Sequence, residues 1–352
     1  MMKPILLTAL TAVLALLALW SAPQKDAAYQ PTAEEIATAQ AYLAEHLIPL
    51  PMAWEWHETQ FGNKAHIRWG VSGPDDAPTL LYIPGYTNTI EMYTAFYDRW
   101  WKAGYRVAAA DLPGQGGSVR RVAFPQRAWS SDFGDYGDAV AALVNDVRTK
   151  TKGPLILVGE SFGGHAALRA AADHDLPLDA LVLLVPALEV TAGDFPRALA
   201  LGMTGTATSL GYGHRYAPGQ GPWRLHWPVP SQEEYGCATR PDRVRLKEAF
   251  FVLNKDFHVG GPTHGWLAGL ERSGKRLATD NTLSDISFPV RIIEAENDRI
   301  VLPGRFGPTC EKMRDCEVIP LPDTEHCLLF EADDRVAPIF TMVEGLIEEG
   351  AE

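Results

Sequence analysis

Basic residues are in short supply. Lys and Arg number 31 against 44 Asp and Glu, a formal net charge of −13. Such a surface repels phosphate backbones and excludes nucleic acid as a partner. Cysteine is scarce too: Cys237, Cys310, Cys316 and Cys327 are the full set, and none has metal-ligand spacing. No HExxH pairing is present either, so neither a metal nor another cofactor is expected. Internal repeats and low-complexity tracts are missing, which leaves ordinary globular organisation. A long apolar run occurs once, at Ile5 to Trp20, where Thr8 and Thr11 are the only polar members and Lys3 precedes them. This run predicts an N-terminal signal-anchor or signal peptide over residues 1–22. Trp20 and Pro23 would sit at −3 and +1 of a cleavage after Ala22, which fits a small-residue cleavage site badly, so an uncleaved anchor is the expectation. Either form exports the rest of the chain, to a periplasmic or extracellular location at the membrane or, after cleavage, in secreted form. In an oxidising compartment Cys310 and Cys316 are close enough in sequence to close a small loop, or they remain free buried thiols. Cys327 is given no role.

What is present is a chain of 352 residues with 46% apolar content, enough for one large α/β unit carrying an insertion. Residues 23–53 read as a linker followed by an amphipathic helix. Thr32 and Glu35 form a capping box, Ile36, Ala39, Leu43 and Leu47 share a face, and Pro49 and Pro51 end it. Trp54 to Phe61 and Ala65 to Val71 read as a hairpin across Gly62-Asn63. Short apolar strands are expected at Thr79 to Ile83, Tyr105 to Asp111, Leu155 to Gly159, Asp179 to Val185, Phe288 to Glu296 and Cys316 to Leu321. Helices are expected at Met92 to Ala103, Asp132 to Lys150, after Ser161, at Pro303 to Met313 and at Leu328 to Glu349. Alternation of this kind predicts a mostly parallel sheet with helices on both faces. The rhythm breaks over residues 187–287, where Gly, Pro and aromatic residues such as Tyr212, Tyr216, Trp223, Trp227 and Trp266 dominate. This segment reads as a lid inserted between a first core part, 54–186, and a second, 288–352.

The stretch with most chemical content is Gly159-Glu160-Ser161-Phe162-Gly163, between a buried strand and an Ala-rich helix. G-x-S-x-G in that context places a serine on a tight strand-to-helix turn, with glycines where backbones meet. A serine hydroxyl needs a base, and the base an orienting carboxylate, in the chain order Ser, Asp or Glu, His. Such groups belong in loops past the carboxyl ends of strands. Asp298 follows one late strand and His326 follows the last, making Ser161, Asp298 and His326 the candidate catalytic set. Glu294 and Glu296 compete with Asp298, but both fall within the strand. Asp323 and Glu325 read as solvated loop charges. The backbone N–H groups of Phe162 and Tyr86 are the candidate oxyanion donors. Glu160, His264 and Trp266 are candidate substrate contacts. His165, His174, His214 and His226 read as structural.

Taken in order, several pieces resemble the bacterial lysophospholipase and monoacylglycerol-lipase group of α/β-hydrolases, related to the serine aminopeptidase S33-like enzymes. These are Pro84-Gly85-Tyr86, Asp111-Leu-Pro-Gly114-Gln115-Gly-Gly-Ser118, the serine turn, Gly260-Gly-Pro-Thr-His264-Gly-Trp266, Asp298-Arg-Ile-Val301 and His326. The resemblance spans about residues 54 to 347. It departs at Pro84 in place of a frequent His, Pro113 in place of Arg, Glu160 in place of His and Phe162 in place of Met. It implies the α/β-hydrolase fold and a serine carboxylic-ester hydrolase working through an acyl-enzyme on a small lipid-like ester. Two other readings remain: an S33-like peptidase on small substrates, and a catalytically silent hydrolase fold used as a binding module.

Overall fold

The computed structural model describes residues 24, 26, 29–63, 65–193, 195–225, 237–279 and 281–350. The apolar stretch at residues 5–20, His226 and Trp227 lie outside them. Among the described residues, no helix is long and apolar enough to cross a membrane.

The first described helix, α1 (Ala33–His46), starts on the expected capping box: the Thr32 hydroxyl accepts from the Glu35 N–H, and the Glu35 carboxylate accepts from the Thr32 N–H. It does not stand alone. Ala39 packs against Ala249 and Val252 of a helix much later in the chain.

Eight strands follow: β1 (Glu55–Phe61), β2 (Ala65–Ser72), β3 (Thr79–Ile83), β4 (Arg106–Ala110), β5 (Leu155–Glu160), β6 (Ala180–Leu184), β7 (Val290–Ala295) and β8 (Cys316–Leu321). They form one sheet in the order β1-β2-β4-β3-β5-β6-β7-β8. The β1–β2 and β2–β4 pairs are antiparallel and the remainder parallel. Every residue of β3, β5 and β6 is buried, as expected where helices cover both faces. Residues alternate between two apolar layers. Leu81, Leu157 and Leu181 face helices α3 (Phe133–Thr149) and α4 (Phe162–Asp173). Tyr82, Ile156 and Val182 face α2 (Thr94–Lys102) and the closing α9 (Asp333–Gly350). Truncating a side chain as enclosed as Leu157 costs about 2–5 kcal/mol.

Between β6 and β7 the chain leaves the sheet. Among the described residues, the segment read from sequence as lacking regular rhythm contains three α-helices, α5 (Arg197–Ala207), α6 (Pro241–Leu253) and α7 (His264–Thr279). Glycines obscured them: Gly265, Gly269 and Gly274 sit within α7 where it crosses other chain segments, and a Cβ on Gly274 would fall 1.9 Å from the Leu188 carbonyl oxygen. The expected helix from Pro303 is shorter, a 3₁₀ turn and then α8 (Phe306–Cys310).

All four cysteines are paired. Cys310 and Cys316 join α8 to β8, and Cys237 joins Cys327 across 90 residues. The second bridge corrects the reading that left Cys327 without a role. Neighbouring residues do point apart here: while His326 faces the sheet end, Cys327 reaches the start of α6.

Candidate active site

Four strands deliver residues to one place at their carboxyl ends. From β5 the chain turns directly into α4 at Ser161, whose φ of 52° is in the left-handed region. Strain of this kind persists only where surroundings over-determine it. Here they do: a Cβ on Gly163 would sit 2.3 Å from the Ile83 carbonyl oxygen, so only glycine lets α4 start this close to β3. From β7 the chain enters the loop holding Asp298, and from β8 the loop holding His326.

These loops bring the three side chains together. His326 Nε2 lies 2.9 Å from Ser161 Oγ, and His326 Nδ1 lies 2.7 Å from Asp298 Oδ2. The other Asp298 oxygen accepts from the Ile300 and Val301 N–H groups at 2.7 and 2.9 Å, which fixes the carboxylate plane. Of the competing acids, Glu296 accepts from the Asp323 N–H, and Glu294 stays in the strand. Ser161 and His326 are both buried. Burial strengthens each polar contact and keeps bulk water from competing.

The β3 loop passes over Ser161. A Cβ on Gly85 would lie 3.1 Å from Ser161 Cβ and 3.7 Å from its Oγ. Its conformation is held by Gln115, whose Oε1 accepts from the Thr87 N–H at 2.8 Å while its Nε2 donates to the Gly85 carbonyl at 3.1 Å. One amide thus clasps the loop on both sides of Tyr86. The Tyr86 and Phe162 rings meet edge to face at 6.0 Å, and Trp266 of α7 touches both, at 4.6 and 5.3 Å. Trp266, expected from sequence to contact substrate, therefore packs on the two residues whose N–H groups are the candidate oxyanion donors. His264 is buried at the start of α7, its N–H donating to the Arg215 carbonyl.

Glu160, also expected from sequence to contact substrate, is 3% exposed and sits beneath the loop, accepting from the Tyr82 and Tyr93 hydroxyls at 2.9 and 2.5 Å. Burial pushes its carboxyl above the usual range, against the opposing pull of the two hydroxyls. Burial also pushes both tyrosines up, and the Glu160 charge adds to it. His165 packs inside α4, between the Ala187 carbonyl and the Ser273 hydroxyl, and burial holds its pKa down to about 3.

Sequence reasoning missed the anchoring of the histidine loop. Glu331 is fully buried. Its carboxylate accepts from the Glu325 and Thr239 N–H groups at 2.9 and 3.2 Å and from the Thr239 hydroxyl. Beside it Cys327 is bonded to Cys237. The loop is thereby fastened to the segment entering α6. Also missed was Lys247 of α6, whose Nζ donates to the Thr87 hydroxyl at 3.0 Å. No sequence motif marks it. Gln115, by contrast, lay in the quoted Gly-Gln-Gly turn, and its amide was the available signal.

Among the described residues no group of His, Cys, Asp and Glu is arranged to hold a metal ion. Comparison with known proteins agrees with the architecture. Lysophospholipase L2 of Escherichia coli is 25% identical over 263 residues, covering 72% of this chain and 75% of the relative. A monoglyceride lipase from Saccharomyces cerevisiae superposes with a TM-score of 0.63 at 15% identity, over 85% of this chain and 97% of that one. A membrane phospholipase A described as a bacterial virulence factor superposes at 0.54 and 20% identity, over 98% and 99%. The model of the serine aminopeptidase S33 hydrolases matches residues 75–333. That stretch takes in Ser161, Asp298, His326 and the insertion, and by it the chain belongs to the serine aminopeptidase S33 family of α/β-hydrolases.

Proposed function

We propose that the protein is a serine carboxylic-ester hydrolase acting on lipid-like esters of the lysophospholipid or monoacylglycerol type. The observation that supports this most is the hydrogen-bonded run Asp298–His326–Ser161, with its 2.7 and 2.9 Å links. Ser161 Oγ attacks the ester carbonyl while His326 Nε2 takes the hydroxyl proton. Asp298 keeps the Nδ1 proton in place and stabilises the imidazolium that forms. The carbonyl oxygen, now negative, is received by the N–H groups of Tyr86 and Phe162. The tetrahedral adduct collapses, His326 returns the proton to the leaving alcohol, and Ser161 is left acylated. Water, deprotonated by His326, attacks the acyl-enzyme; the acid leaves and the serine is restored.

The names of the relatives support a lipid-like ester, and the insertion, read as a lid, leaves Phe195, Leu199 and Leu210 exposed. The two disulfides support export to an oxidising compartment, with residues 5–20 as the anchor. The test is labelling by a fluorophosphonate probe with kinetics on matched lysophospholipids, monoacylglycerols and p-nitrophenyl esters. Labelling and turnover are expected in the wild type and absent in Ser161→Ala; retained turnover in that variant refutes the assignment, and failure to label favours a silent binding module. The family's peptidase name supports one rival, so amino-acid amides belong in the same panel. Amide turnover exceeding ester turnover would move the reading to a peptidase.

A further inference from the structure

The insertion brings an ammonium group to the candidate site. Lys247 lies on α6, partly buried, among helix neighbours Val244, Phe250 and Phe251 that point into the apolar layer. Among the described residues its hydrogen bond goes to a neutral acceptor, the hydroxyl of Thr87, at 3.0 Å. Burying an ammonium with no carboxylate in contact is unfavourable. Glu248 and Glu160 favour its charged form from farther away, yet burial prevails and holds the lysine below its usual range. Such a group has unused hydrogen-bonding capacity, since an ammonium has three donors.

Its position relative to the reacting atoms is fixed by the β3 loop. Thr87 is two residues beyond Gly85, which packs against Ser161. Two residues of chain span at most about 7 Å. Thr87 itself adopts a φ of 70°, unusual for a β-branched residue, and its N–H is held by Gln115. The hydroxyl that carries the lysine is therefore rigidly set beside the oxyanion loop. In a lysophospholipid the phosphate is separated from the scissile ester oxygen by the glycerol carbons, on the order of 6 Å when extended. The two lengths are comparable.

We propose that Lys247 is a specificity-determining residue that receives the phosphate of a lysophospholipid headgroup while Ser161 attacks the acyl ester. The assignment rests on the ester-hydrolase reading and deepens it: phosphate-bearing lysolipids are preferred over neutral monoacylglycerols. The Thr87 hydroxyl keeps the ammonium oriented when no substrate is bound. A contact with a part of the substrate that does not react stabilises ground and transition states alike, so its loss appears mainly in KM.

The test compares kcat/KM for a 1-acyl lysophosphatidylglycerol and the 1-monoacylglycerol of the same chain. Lys247→Met is expected to lower the ratio of the two by about 10- to 100-fold, mostly through KM, and Lys247→Arg to retain it. An unmoved ratio in Lys247→Met overturns the assignment. A measurement on the unaltered protein guards against a folding defect in the variant. sn-Glycerol 3-phosphate is expected to compete with p-nitrophenyl butyrate, and glycerol at equal concentration is not; equal inhibition by the two overturns the assignment as well. Ser161-dependent turnover of p-nitrophenyl butyrate separates the two possible failures. With that turnover present and the ratio unmoved, the lysine assignment alone falls. Without it, the ester-hydrolase reading falls and takes the lysine assignment with it.

Discussion

Replacing Cys237 and Cys327 together by serine opens a loop of 90 residues that contains α6, α7, β7 and β8. Replacing Cys310 and Cys316 opens a loop of 6. A crosslink limits the unfolded chain more strongly the longer the loop it closes. The entropy relation puts the loss at about 4–5 kcal/mol for the long loop and about 2 kcal/mol for the short one. Domains hold together by roughly 5–15 kcal/mol in all, so the first change removes a large share of the stability and the second a modest one. The assay is equilibrium urea unfolding of both double variants and the wild type, followed by tryptophan fluorescence without reductant. Free energies are to be compared at a common slope, because a changed slope means a changed unfolded state. The midpoint is expected to fall about twice as far for Cys237→Ser/Cys327→Ser as for Cys310→Ser/Cys316→Ser. Equal losses, or the reverse order, would refute the loop-length reasoning.

Three further outcomes are expected. Asp298→Asn keeps a side chain of the same size but loses the anion that faces His326 Nδ1, and kcat is expected to fall on the order of 10³- to 10⁴-fold in steady-state ester hydrolysis. Gln115→Ala releases the clasp on Gly85 and Thr87, and with one candidate oxyanion donor loosened a drop in kcat of about 10²-fold is expected, with KM little changed. His165 stays neutral down to about 3 when folded, whereas an unperturbed imidazole titrates near 6.5. The unfolded chain thus binds the extra proton between those values, so stability is expected to fall as pH drops below 6.5 and to level off near 3. The full difference is on the order of 5 kcal/mol, and urea midpoints of His165→Asn should show a visibly flatter pH dependence than the wild type.

Much of this architecture was legible from local signals. The capping box at Thr32, the turn at Gly62-Asn63 and the uninterrupted apolar runs of β3, β5 and β6 each declare an element within a few residues. Ser161, Asp298 and His326 were nameable because each follows a strand whose apolar run can be seen. The rest depended on distant parts of the chain. Helix α7 carries glycines because other segments cross it closely, and periodicity cannot register a crossing. The Cys237–Cys327 bond spans 90 residues. Glu160 and Trp266 were placed near the site by sequence position, but which face of the loop each would support was decided by Tyr82 and Tyr93 below it and by Phe162 beside it. Lys247 is one charged residue in an ordinary helix, and only the Thr87 contact gives it meaning.

The attachment of the histidine loop to the start of α6 has a bearing on protein engineering. Glu331 grips Thr239 and the Glu325 amide at once, and Cys327 is bonded to Cys237. A chimera that imports a relative's segment between β6 and β7 would sever both ties and leave the imidazole without its lateral support. Grafts that keep residues 237–243 native and exchange only what surrounds them are the ones in which the segment can be changed without unfastening His326.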